Sequence, residues 1–133
     1  MNPIAMTEPF TNLLHLPRDL AHQRLAQQVK GPLQVIAGLD HLDDSRREWF
    51  PQHQLSLRYD LNDCVDAITL QVSTVSPPTR QDVLQHYRKQ QQPLLSLGSV
   101  LISLSEGLSF VFKRQQLTSI YCDAVRQSSN GVT

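Results

Sequence analysis

The chain has 133 residues, 12 Lys+Arg against 12 Asp+Glu, a hydrophobic fraction of 40% and 18% charged residues. The length suits one domain, and the composition lacks the low-hydrophobicity, high-charge signature of a disordered chain. Zero net charge removes the electrostatic footprint of a general nucleic-acid binder, so nucleic acid is not expected as a partner.

The first thirty residues hold Glu8, Asp19, Pro3, Pro9 and Pro17, with no basic stretch followed by an apolar run. A signal peptide is therefore not expected. No segment approaches the roughly 18 apolar residues of a membrane-spanning helix, and the expected location is cytoplasmic, with no membrane partner. Pro17 suits the first position of a helix, and Ala21, Leu25 and Val29 recur on one face before Gly31-Pro32 ends it. Asp40-His41-Leu42-Asp43-Asp44 is the densest group of potential metal ligands. It carries no glycine at an EF-hand position, and no spaced His or Cys completes a set. It reads as a solvated acidic loop, so neither a metal nor a cofactor is expected. Glu48-Trp49-Phe50 is a weaker strand candidate. Leu55, Leu57 and Tyr59 alternate with polar neighbours as a half-buried strand requires. Asn62-Asp63 makes a turn, and Val65, Ile68, Leu70 and Val72 form the return strand.

Pro77-Pro78 precedes Thr79-Arg80-Gln81-Asp82, a capping-box pattern that starts a second helix through Val83, Leu84 and Tyr87; Pro93 stops it. Val100 to Leu104 is the next strand. The loop Ser105-Glu106-Gly107 leads into Leu108, Phe110 and Phe112, and Lys113 to Gln116 turns the chain toward Leu117, Ile120, Cys122 and Ala124. Residues 126–133 are small and polar and are expected to fray. Cys64 and Cys122 match neither a disulfide framework nor a ligand pair and read as free thiols.

An internal repeat organises these elements. Leu55-Ser56-Leu57-Arg58-Tyr59 aligns with Leu108-Ser109-Phe110-Val111-Phe112 at an offset of 53 residues, and one deletion in the turn then places Val65, Ile68 and Leu70 on Leu117, Ile120 and Cys122. Residues 1–125 are thus expected to form one α+β domain of two helix-hairpin units, 17–73 and 79–125. The expectation is two short helices packed on an antiparallel sheet of about five to six strands. Val29 to Pro32 with Leu55 to Leu70, and Tyr87 to Pro93 with Leu108 to Ile120, resemble the tandem helix-plus-strands units of beta-lactamase-inhibitor-protein-like domains. That resemblance implies a shared topology and a protein-binding role, and transfers no inhibitory residue. Those inhibitors are exported and disulfide-bonded, whereas the cysteines here fall at strand positions.

No nucleophile elbow, phosphate loop or His-Glu-x-x-His pair is present. His22 and His86 fall on the helices beside Arg24 and Arg88 and read as surface or boundary residues, while Asp63 and Asp66 would suppress rather than activate the Cys64 thiolate. The chain is not expected to be an enzyme. Its charge is divided: residues 37–78 carry three basic and seven acidic groups, while residues 79–133 carry six basic and three acidic. Such asymmetry orients partners. The expected function is a small non-catalytic, bacterial immunity- or antitoxin-like protein that neutralises a toxin or effector by direct contact. The expected contact surface is Asp40, Asp43, Asp44, Arg46, Arg47, Glu48, Trp49, Asp60, Asp63 and Asp66, with Trp49 open to either a core or an interface role. The alternative is a homodimeric small-ligand-binding protein with its pocket between helices and sheet.

Overall fold

The run Leu55, Leu57, Tyr59 buries every second side chain, and Leu108, Phe110, Phe112 does the same. This alternation fixes which face of each strand meets the core. The computed structural model describes residues 6–37 and 46–123. Its strands are β1 (Ile36–Ala37), β2 (Arg47–Phe50), β3 (Leu55–Tyr59), β4 (Val65–Gln71), β5 (Leu95–Leu97), β6 (Val100–Ser103), β7 (Leu108–Lys113) and β8 (Gln116–Asp123). They form one antiparallel sheet in the order β1-β2-β3-β4-β8-β7-β6-β5. The helices are α1 (Glu8–Thr11), α2 (Arg18–Ala26) and α3 (Arg80–Lys89).

The fold is α+β, but with three helices and eight strands among the described residues instead of two helices and five or six strands. The additional elements lack a readable period. β1 and β5 are edge strands of two and three residues, exposed throughout, so no in-out alternation marks them. α1 spans four residues, about one turn, which is too short for a 3.6-residue pattern to recur.

The two halves of the sheet share one pairing plan. Leu55 faces Leu70 and Tyr59 faces Val65; Leu108 faces Cys122 and Phe112 faces Leu117. The register shifts at Arg58/Tyr59 in one half and at Val111/Phe112 in the other. The helix starts are tied down alike. Pro17 bridges to Cys64 and Thr79 to Gln116; the Val65 amide donates to the Leu16 carbonyl and the Leu117 amide to the Pro78 carbonyl, each at 2.8 Å. By these contacts Arg18 corresponds to Arg80, His22 to Leu84 and Leu25 to Tyr87. Along the strands, Glu48 corresponds to Leu101, Phe50 to Ser103 and Tyr59 to Phe112.

One face of the sheet carries the core. α2 contributes Ala21 and Leu25, α3 contributes Val83 and Tyr87, and the segment after α1 contributes Leu13 and Leu14, all packed with the inward residues of β2–β4 and β6–β8. The His22 ring meets Phe50 edge-on at 5.5 Å, and Tyr87 meets Phe110 at 5.8 Å. Size is exchanged between the halves: a strand phenylalanine (Phe50) accompanies a helix leucine (Leu25), whereas a strand serine (Ser103) accompanies a helix tyrosine (Tyr87), and all four are buried. Close packing favours such volume-conserving exchange. α3 opens with the expected capping box, in which the Thr79 hydroxyl accepts from the Asp82 amide and the Asp82 carboxylate accepts from the Thr79 amide. The bond from the Thr79 amide, and then one from the Thr79 side chain to the carboxylate, hold the Asp82 carboxyl below its usual pKa. At the β5–β6 turn Gly98 has φ +59°, a left-handed conformation that disfavours side chains. No helix among the described residues is long and apolar enough to cross a membrane.

Candidate functional site

A charged cluster closes one end of the core in the first half. Glu48 alternates inward on β2 and is 5% exposed. Its carboxylate accepts from the Tyr59 hydroxyl at 2.5 Å and from Arg18 Nη1 at 3.3 Å, and lies 2.8 Å from His22 Nε2. Arg18, the first residue of α2, also grips Asp63 through Nε at 2.9 and 3.0 Å and Nη2 at 2.6 Å. Its guanidinium stacks 4.1 Å from the centre of the Tyr59 ring. Burial, and then the hydrogen bond to Glu48, push the Tyr59 pKa up.

The second half places apolar side chains at the same stations: Leu84 for His22, Leu101 for Glu48 and Phe112 for Tyr59. Arg80 keeps the position of Arg18, over the Phe112 ring at 5.9 Å, but turns to the edge hairpin and donates to Ser96 Oγ at 2.6 Å and the Gly98 carbonyl at 3.2 Å. One architecture is therefore built twice, once around a buried carboxylate and once without it.

The face opposite the helices carries a different surface. In register across all eight strands runs the row Ile36, Trp49, Ser56, Thr69, Tyr121, Ser109, Ile102, Leu95. Hydroxyl-bearing residues, Ser56, Thr69, Tyr121 and Ser109, hold its middle, while Trp49 and Ile102 stand toward the sides. The result is a broad groove of about 430 Å³ whose lining includes Arg47, Ser56, Arg58, Thr69, Val111 and Tyr121. Every residue lining it lies on a strand. Between helices and sheet, a void beneath Phe10 measures about 10 Å³, at the lower limit of what one water needs.

The residues singled out in the sequence separate accordingly. Arg47, Trp49 and Asp66 stand half-buried on strands, with Arg47 in the groove lining and Asp66 accepting from Arg58 Nε at 2.8 Å. Arg46 is exposed where β2 begins. Glu48 and Asp63 belong to the Arg18 cluster. Asp60 shapes the β3–β4 turn by accepting from the amides of Asn62 and Cys64 at 2.9 and 3.0 Å. Asp40, Asp43 and Asp44 lie outside the described residues. Sequence reasoning missed Arg18, His22 and Tyr59, which meet Glu48 only through the fold, and Arg58 and Tyr121 on the open face. The outward parity of Arg58 and Tyr121 in alternating strands was the available signal. Cys64 is half-buried, Cys122 is buried, and neither is in a disulfide.

A scan against protein-family models, a search of curated proteins and a search of solved structures each gave no match.

Proposed function

We propose that the chain is a small non-catalytic protein-binding module that docks its partner on the open face of the sheet. The observation that carries this reading is the composition of that face. Trp49, Tyr121, Arg47 and Arg58 lie on a single surface that no helix covers among the described residues, and Trp, Tyr and Arg are the side chains enriched among residues that dominate interface energies. Trp49 is half-buried and Tyr121 is 44% exposed, so both have surface left to bury. Among the described residues nothing roofs this broad groove, which suits a segment of another protein better than a small molecule, since ligand pockets enclose most of their occupant.

Within this class the reading is an immunity- or antitoxin-like protein of the cytoplasm that neutralises a toxin or effector by direct contact. The similarity to the tandem units of beta-lactamase-inhibitor-protein-like domains points in the same direction. Glu48, Asp60, Asp63 and Asp66 serve the fold instead of the contact in this reading, because all four have internal partners. Affinity capture from the native host tests it. The wild-type chain should recover one stoichiometric partner, and the Trp49→Ala/Tyr121→Ala variant should lose it while staying folded. A partner held equally by both proteins, or no stoichiometric partner, refutes the reading.

A further inference from the structure

On β2 and β3, Arg47 and Arg58 stand directly opposite one another in the antiparallel register. Both line the groove. Like charges in direct cross-strand register are destabilising. Arg58 is offset by Asp66 at 2.8 Å, whereas Arg47 makes no ion pair among the described residues. Asp123, the other charged residue of the lining, stands two strands from Arg58 across Ala67, roughly 9–10 Å at ordinary strand spacing. It is therefore too distant to neutralise Arg47. At the opposite side of the groove the lining is apolar, with Val100 and Val111 paired across β6 and β7. The surface thus has a cationic end and an apolar end, separated by the hydroxyl-bearing residues Ser56, Thr69, Ser109 and Tyr121. From β3 to β6 the span is four strand intervals, or roughly 19 Å.

We propose that the occupant of this groove is an acidic, amphipathic segment of a partner protein, whose carboxylate lies between Arg47 and Arg58 and whose apolar side chains cover Val100 and Val111. Arginine forks match carboxylates bidentately, and a bound carboxylate removes the repulsion that the free protein carries at this pair. The inference rests on the open face being the docking surface and adds the chemistry of what docks there.

Peptide selection provides the test. A phage-displayed random library is selected on the full chain, and enriched peptides are synthesised and titrated against it by fluorescence of Trp49, the single tryptophan. Enriched sequences should carry Asp or Glu beside apolar residues. Glu→Gln in the peptide should weaken binding about tenfold on the wild type and have little effect on Arg47→Glu, and Arg47→Glu should itself bind the acidic peptide at least tenfold more weakly. That variant turns a repulsive pair into an attractive one, so its Tm should be unchanged or higher by about 1–4 °C. Loss of binding then cannot be loss of fold. Enriched peptides without acids, or acidic peptides bound equally by Arg47→Glu yet weakened by Tyr121→Ala, overturn the acidic segment and leave the docking face standing. No enrichment, or binding untouched by both substitutions, overturns both. A sedimentation mass of two chains that reverts to one in Arg47→Glu identifies a second copy as the occupant and also overturns the proposal.

Discussion

Glu48 offers the sharpest perturbation, because the second half of the molecule shows what its station looks like without charge. Glu48→Leu removes the acceptor of Tyr59, His22 and one arm of Arg18. Arg18 keeps its grip on Asp63, and the His22 side chain, 29% exposed, can turn to water. Tyr59 has no such recourse at 1% exposure; its orphaned hydroxyl costs about 1–3 kcal/mol. The single variant should therefore lose about 2 kcal/mol, a Tm drop of roughly 6–10 °C for a domain of this size. Adding Tyr59→Phe and His22→Leu copies the Leu84, Leu101, Phe112 arrangement and removes every orphan. Replacement of a whole buried charged group by apolar residues is often neutral or stabilising, so the triple variant should return to within about 1 kcal/mol of wild type. Urea unfolding followed by circular dichroism measures all three proteins. A triple variant as unstable as Glu48→Leu, or worse, would refute the argument that the fold does not require the charged cluster.

Three further outcomes follow from the packing. Burial holds the His53 ring below its ordinary pKa and outweighs the Leu25 backbone, which pulls it up, and both ring nitrogens are shielded from solvent. In the unfolded chain His53 protonates below about pH 6.5 while the folded chain resists. Its contribution should thus destabilise the protein progressively as pH falls from about 6.5 toward the folded pKa, and His53→Leu should flatten that part of a Tm-against-pH curve. Thr79→Ala removes the side-chain cap of α3 and should cost about 1 kcal/mol in urea unfolding. Leu57→Ala, at a fully buried position of β3, should cost about 2–5 kcal/mol, whereas Ser56→Ala on the open face should stay within about 0.5 kcal/mol.

What could be read in advance was whatever repeats along the chain. The inward series of β3 and β7, the capping box at Thr79 and the offset between the hairpins are local or periodic signals, and the registers of β3–β4 and β7–β8 follow them. β1 and β5 could not be read, since exposed edge strands show no alternation and exist through pairing with β2 and β6. The candidate site was less legible. Glu48 looked like one member of an acidic surface, because nothing near it in sequence shows that Arg18, thirty residues earlier, and Tyr59, eleven later, enclose it. Trp49, its neighbour, falls on the opposite face by strand parity alone. The identities of residues 46–66 thus mix two surfaces that the sheet separates.

Photo-cross-linking in the native host tests the docking face most directly. A photoreactive phenylalanine analogue is placed at position 121, in the groove, or at position 85, on the exposed side of α3. The account predicts one heterologous protein cross-linked from position 121 and none from position 85; a partner captured from position 85 and not from position 121 contradicts it.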